Sequence, residues 1–498
     1  MKSRSQACFF YFYTIYQLKK ILFYLSKSYT LDLRALALMR IGIALIIIAD
    51  LLIRGSDLSA HYTDAGLWPT NLIHTFGWKA GNWSLHELSG SYAWALFLFC
   101  LHFVFALFLL FGYRTKLATL LVWLLTISLH NRNLFVQQSG DDLLRLLLFW
   151  GLFLPWNAFY SLDSKKQAIP LKQNTLANIG YLLLIASVYF FTVSLKTSAE
   201  WRAEGSAIYY ALSLEQLRLP AGDLLYQYPT LMKLFTWFVF YTELSIPLLI
   251  LWPSKKGKLR LIAFVLILIL HIGIGLTLYV GLFYIINIVG GLALLPKHVL
   301  DKVESKLNTS SRSARVKKQT LVLSIKKTSP IRYITNGICI FVIIISIIIN
   351  LSAVNWFGYE LRKEIWYPVN VFRLDQYWGM FSPSILKKDG WFVYHGMDSI
   401  GRQWDLYRNN EYVNYKKPEH IVKMYKSDRW RKLAENMQND NYTFLRPLYC
   451  RYIIREWNIK HPNKKMNMLN FFYMEKQNLP DYKSSEVKKN LFCVCNDN

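Results

Sequence analysis

Between about Arg34 and Leu351 the chain is divided into apolar blocks close to the length of a lipid bilayer's hydrocarbon core, and this excludes most soluble folds. A helix rising 1.5 Å per residue needs about twenty mostly apolar residues to cross that core. Blocks of this kind run from Ala35 to Ile53, Tyr92 to Phe111, Leu143 to Tyr160, Ile179 to Leu195, Leu231 to Trp252 and Ile331 to Leu351. The block from Leu117 to Leu129 is shorter and fits as a crossing when His130 and Asn131 reach the interface. The stretch from Leu259 to Leu295 is too long for one crossing and turns near Gly281. The reading is a mainly α, polytopic transmembrane bundle of about nine spans. Only 18% of the residues are charged, short of the roughly one quarter that covers a soluble surface.

Basic loops set the expected orientation. Lys2, Arg4, Lys19, Lys20 and Lys27 precede the first block, and Arg114 and Lys116 follow the second. Lys165, Lys166 and Lys172 follow the fourth, and Lys255, Lys256, Lys258 and Arg260 the sixth. The loop after the eighth is the most basic, from Lys297 and Lys302 through Arg312, Arg315, Lys317 and Lys318 to Lys326 and Lys327. With nine crossings every basic loop falls on one side, which the positive-inside rule makes cytoplasmic. Residues 1–30 are then a cytoplasmic interfacial segment rather than a cleavable signal, because Lys19 and Lys20 interrupt the aromatic run and no small-residue cleavage site follows. Residues 31–352 form the transmembrane domain, and residues 353–498 an extramembrane domain on the outer or periplasmic side. The net charge of +27 is explained by these loops facing anionic lipid, so nucleic acid is not an expected partner and membrane lipid is.

Ionisable groups inside apolar blocks are costly and mark sites of interest. Arg40 and Asp50 share the first block, too far apart to pair, so each needs a partner from elsewhere. The densest polar group is His130-Asn131-Arg132-Asn133 with Ser139-Gly140-Asp141-Asp142 and Arg145, at the outer mouth of the bundle. Arg145 stands one helical turn after Asp141, which allows a salt bridge on one face; a plain polar cap on a helix start competes with a ligand pocket. Lys196 closes an apolar block ahead of Glu200-Trp201-Arg202. It either snorkels to the interface or, desolvated, serves as a general base. His271 inside the seventh block is a core histidine or a catalytic one, and Glu243 with Thr242 and Ser245 adds another polar face.

Other chemistries find no motif. No His-Glu-x-x-His, paired histidine spacing or carboxylate cage points to a metal, and no phosphate-binding glycine loop or nucleophile elbow occurs. The six cysteines give no zinc pattern; Cys100 and Cys339 read as small buried hydrophobes, while Cys450, Cys493 and Cys495 allow a disulfide if the tail meets an oxidising compartment.

The order and spacing of several of these groups resemble the HTTM family, the bacterial relatives of vitamin K-dependent gamma-carboxylase. The resemblance rests on His130 to Asn133, Gly140-Asp141 with Leu143-Leu144-Arg145, and Leu195-Lys196-Thr197 with Glu200-Trp201 and Gly205. His271 with Gly281-Leu282-Phe283, and Asp375 to Pro383 followed by Asp389-Gly390-Trp391, extend it over about Leu31 to Leu406. It implies an outward cavity for reduced vitamin K or a related quinone, and a carboxylase or epoxidase-like membrane enzyme that takes a protein or peptide substrate. Lys196 would initiate deprotonation of the hydroquinone, with His271 and Asp141 as further catalytic groups. His130, Asn131, Arg145 and Trp201 would line the cofactor pocket. Two positions depart from the carboxylase branch: Leu195 replaces a lysine, and Gly140-Asp141 occupies the place of an Asn-His element. The opposing reading is a non-catalytic scaffold or lipid-binding protein of the same fold, with Lys196 facing lipid or paired with Glu200 and no cavity reaching His271 or Asp141.

In the tail, runs such as Trp391-Phe392-Val393-Tyr394 between glycines predict short strands, and about Pro418 to Trp457 reads as helical. The basic stretch from Lys416 to Lys432 reads as a solvated face, and the chain after about Asn463 as partly ordered, with Phe471 to Met474 able to dock.

Overall fold

The computed structural model describes residues 28–166, 172–173, 175–254, 256–306, 330–356, 358 and 361–496. The expected interfacial segment before Ser28 and the basic run from Arg312 to Lys327 lie outside the described residues.

The chain is mainly helical, with a small antiparallel sheet near the C-terminus. The principal helices of the apolar region are α1 (Leu33–Gly55), α2 (Tyr92–Phe111), α3 (Thr115–Arg132), α4 (Ser139–Gly151), α5 (Leu176–Leu195), α6 (Pro229–Leu251), α7 (Lys258–Thr277), α8 (Phe283–Gly291), α9 (Lys297–Lys306) and α10 (Pro330–Val354). Side-chain caps satisfy the orphan N–H groups at several starts: Asp32 accepts from Arg34 N, Ser91 from Trp94 N and Thr175 from Asn178 N. Gly112, at φ +67°, closes α2 in the left-handed conformation.

Six of the described helices are long and apolar enough to cross a membrane: α1, α2, α5, α6, α7 and α10. The number becomes seven if the segment Phe283–Leu294 and α9, bent by 101° at their junction, form one broken span. The difference from nine has local causes. Of the block from Leu143 to Tyr160 only the part up to Gly151 is helical, within the 13 residues of α4, because Pro155 lacks the N–H that would continue the ladder. The block from Leu117 to Leu129 lies in α3, which is long enough but carries His130, Asn131 and Arg132 in its last turn. The stretch from Leu259 to Leu295 divides into α7 and α8 around Gly281, at φ +57°, as expected; α8 stops after nine residues at Gly290-Gly291.

Packing keeps apolar faces outward. Leu96, Phe97, Val104, Leu234, Ile262, Ile269, Ile340 and Ile344 are exposed on the long helices, as lipid-facing residues would be. Cys339 is buried as expected, whereas Cys100 is exposed on α2. Arg40 is fully buried and forms no salt bridge among the described residues; it donates to the main-chain oxygens of Leu109, Leu110, Trp156 and Tyr160. The carbonyls of Leu109 and Leu110 belong to the last turn of α2, whose unsatisfied oxygens carry partial negative charge.

Beyond α11 (Lys363–Phe372), the tail is built from β1 (Lys388–Met397), β2 (Gln403–Asp405), α12 (Asp428–Gln438), α13 (Leu445–Lys460), β3 (Met468–Gln477) and β4 (Lys488–Asn496). The strands make one antiparallel sheet in the order β2-β1-β3-β4. Trp391 to Tyr394 fall in β1 as expected, with Tyr394 opposite Phe471. The segment after Asn463 is more ordered than its sequence suggests. Met468–Gln477 forms the strand beside β1, and Phe471 is completely buried because its ring stacks on Phe392. Cys450 on α13 and Cys495 on β4 form a disulfide across 45 residues, leaving Cys493 free.

Asp389 on β1 is completely buried and accepts from the Glu215 N–H at 2.9 Å. Burial pushes its carboxyl up to about 6, and the Glu215 N–H opposes this only in part. A carboxyl raised on folding favours the folded state fully below pH 4 and loses that contribution as pH rises through about 6. Asp389→Asn should therefore increase the unfolding free energy at pH 8, by up to about 3 kcal/mol, with a higher thermal midpoint, and leave both nearly unchanged at pH 4; calorimetry at the two pH values checks this.

Candidate functional site

The sequence-predicted residues fall into two separate clusters. The first lies where α1, α3 and α4 meet the tail. Asp141, in the first turn of α4, accepts from its own Gln138 N–H and lies between two guanidinium groups. Arg54 Nη2 donates to Asp141 Oδ1 at 2.9 Å, and Arg429 Nη1 from α12 donates to Oδ2 at 2.5 Å. The same two arginines hold Asp50: Arg54 Nε at 2.7 Å and Arg429 Nη2 at 2.7 Å. Tyr62 OH accepts from Arg54 Nη1. Asp50, Asp141, Arg54 and Arg429 are each at most 5% exposed. Two acids against two bases leave the cluster formally neutral, which buried charge requires.

His130 and Arg145 stand beside it. Arg145 Nη1 donates to His130 Nδ1 at 3.0 Å, and His130 Nε2 lies 3.6 Å from Asp141 Oδ1. The expected Asp141–Arg145 bridge does not form. Arg145 pairs instead with Asp142, three residues before it, at 2.5 Å, because Asp141 is already taken by Arg54 and Arg429. Asn131 spans two segments, donating to Trp83 O at 2.8 Å and accepting from Arg373 Nη1. Arg132 donates to Trp68 O, and Asn133 to His61 O. The polar run from His130 to Asn133 thus ties loops and tail together. Asp375 belongs to the same region: burial would raise its carboxyl, but the guanidiniums of Arg373 and Arg145 outweigh that and hold it at about 2.

The second cluster lies between α5, α6 and α7. Lys196, at the C-terminal cap of α5, is 3% exposed, and its Nζ donates to Glu243 Oε2 on α6 at 2.5 Å. It neither faces lipid nor meets Glu200, whose carboxylate pairs with Lys387 of the tail at 2.9 Å. The Trp201 ring covers the Lys196 ammonium at 3.9 Å, a cation–π arrangement. Trp201 Nε1 in turn donates to Phe381 O, and Ser198 N to Pro383 O, so the segment from Gly379 to Pro383 closes over this end of α5. Two turns back along α5, Tyr189 OH meets His271 Nε2 at 2.9 Å. His271 is 3% exposed, and its Nδ1 has no hydrogen-bond partner among the described residues.

Among the described residues, apolar packing around Phe283 runs between the two clusters. The Phe283 ring stands edge-on to His271 at 5.5 Å, and a Cβ on Gly140 would come 3.2 Å from Phe283 Cα. Gly140, next to Asp141, therefore lets α4 press against the start of α8. The two described clefts take no lining from Lys196, His271 or Asp141. The larger, of about 300 Å³, is reached from the first cluster through Gln137 and Arg373.

Ligand atoms of Asp50, His130 and Asp141 lie within 4.8 Å of one another, a spacing that suits a cation. Both carboxylates already carry guanidinium partners, whose charge opposes a metal there. Comparison with protein-family models, curated proteins and solved structures finds no match for this chain.

Sequence reasoning missed Arg54, Tyr189, Arg373 and Arg429 as members of these clusters. Arg54 carried a readable signal, standing four residues after Asp50 in one helix. Arg429 carried none: it lies in the basic stretch expected to face solvent, and both Arg429 and Arg431 are buried. Arg429→Ala should destabilise the chain by about 3–5 kcal/mol, because two buried carboxylates are left with one guanidinium. Adding Asp50→Asn should recover part of that loss, and thermal unfolding in detergent measures both.

Proposed function

We propose that this chain is an integral membrane enzyme of the vitamin K-dependent gamma-carboxylase-like class, with its reactive centre at Lys196 and Glu243 rather than at Asp141. The observation that carries this reading is the desolvated amine–carboxylate pair of Lys196 and Glu243, covered by the Trp201 ring. In apolar surroundings such a pair can exchange its proton, leaving a neutral amine able to accept another. Lys196 is then the general base and Glu243 the group that holds the proton Lys196 gives up. Tyr189 and His271 form a second hydrogen-bonding pair, and His271 Nδ1 and Ser382 Oγ, without hydrogen-bond partners among the described residues, offer polar atoms to a phenolic oxygen. Such donors amid aromatic walls suit a reduced quinone, with Trp201 and His271 as the residues that would hold it. When bound with oxygen, such a quinone would supply the strong base needed to take a proton from a glutamyl γ carbon of a peptide substrate.

The proposal keeps nine crossings and an outward tail. The grouping of loops supports it: Asp57, Asp141, Glu200 and Glu215 all bond residues of the tail. Arg34 meets Asp301 and Glu304, Arg260 the main chain of Ser28 and Thr30, and Thr115 the Asp163 carboxylate, gathering the basic loops elsewhere. The Cys450–Cys495 disulfide is consistent with an oxidising side.

One observation favours a non-catalytic scaffold instead. Ion pairs engage most charged groups of both clusters, among them Arg54 with Asp141 and Lys196 with Glu243.

Incubating the purified chain with reduced vitamin K, bicarbonate and a glutamyl peptide separates the two readings. The enzyme reading expects oxygen-dependent epoxide, reduced at least about 100-fold in Lys196→Ala while the unfolding midpoint shows a folded protein. No turnover with any quinone, or unchanged epoxidation in Lys196→Ala, sinks it. In membranes isolated under non-reducing conditions, mass spectrometry of thiol-blocked chain should find Cys450 linked to Cys495 and Cys493 free; blocked Cys450 in that material counts against an outward tail.

A further inference from the structure

The cleft of about 300 Å³ lies apart from the Lys196 centre, with walls from both parts of the chain. Lys79 comes from a loop of the apolar region, Arg373 and Asp375 from the segment after α11, and Lys432 and Tyr442 from the tail. Phe135, between α3 and α4, adds a second ring. The volume is at the lower end of small-molecule sites.

Charge decides what fits. Arg373 is 6% exposed, and its guanidinium is oriented by Asp375 Oδ1 at 2.9 Å, Gln137 Oε1 at 3.3 Å and Asn131 Oδ1. Asp375 is shared with Arg145 at 4.0 Å. Lys432 shares Glu435 with Arg431, the two contacts being 2.6 and 2.8 Å. Lys79 is exposed, lies 5.7 Å from the Trp366 ring and forms no ion pair among the described residues. Three cations thus face the cleft against one acid of its wall, and the nearby Glu435 reduces the excess further. This modest positive balance suits a single negative charge better than a phosphate dianion. The Phe135 and Tyr442 rings give an apolar body somewhere to lie.

We propose that this cleft is a binding site for a small organic monocarboxylate, with the carboxylate held by Lys79, Lys432 and Arg373 and its apolar body against Phe135 and Tyr442. Because the walls come from both the tail and the loops of the apolar region, an occupant would also clamp one onto the other.

The test is calorimetric titration of the full chain in detergent with benzoate, and separately with inorganic phosphate, at constant ionic strength. Saturable benzoate binding is expected, weakened about tenfold or more in Lys79→Gln and further in Lys79→Gln/Lys432→Gln, since hydrogen bonds to charged groups are at stake. Both substitutions replace side chains that are not fully buried, so an unfolding midpoint close to the parent's is expected alongside. Absence of saturable benzoate binding, binding unchanged in the double variant, or phosphate binding more tightly than benzoate each overturns the assignment.

Discussion

Taking a carboxylate out of water without a partner costs several kcal/mol, and an apolar bundle offers few partners. Asp50 on α1 and Asp141 on α4 meet that cost with two guanidiniums, one from α1 itself and one from the tail. Arg429 thereby fixes more than a charge balance. It determines where α12 sits, and with it the floor of the tail domain over the polar ends of α3 and α4. Lys426 on Asp57 and Lys387 on Glu200 extend the same fastening to other loops.

This arrangement alters the meaning of the polar run at the bundle mouth. His130, Asn131, Asp141 and Arg145 have the composition of a ligand pocket, and the structure commits them to one another and to main-chain oxygens. What remains open chemically is the Lys196–Glu243 pair, where one acid meets one base under an aromatic ring, and the Tyr189–His271 pair, where one imidazole nitrogen has no partner among the described residues. The segment from Gly379 to Pro383 matters to the first of these pairs because Phe381 holds Trp201 in place over the amine.

Much of the apolar architecture was legible in the sequence because burial in lipid imposes a length and a composition on each crossing helix. The ends of α2 and α5, and the turn at Gly281, follow from apolar runs bounded by Gly, Ser and basic residues. The shorter α4 and α8 were harder to read, since their blocks are apolar throughout and only Pro155 and the Gly290-Gly291 pair end them. The strands β3 and β4 escaped notice for a different reason: their alternating faces become meaningful only when β1 and α13 supply something to pack against, as Phe471 on Phe392 illustrates.

Sequence alone therefore determined that the chain is built around apolar helices, that ionisable residues stand within or at the ends of them, and that a less apolar region containing strands follows. These features depend on local composition and period, which each segment carries by itself. Tertiary structure decided the pairing: Arg145 with Asp142 rather than Asp141, Lys196 with Glu243 rather than Glu200, and Arg429 with two aspartates more than 280 positions earlier in the chain. A buried charge takes whichever opposite charge the packing brings nearest, and that nearness is a property of the assembled bundle and tail, not of any one stretch of sequence.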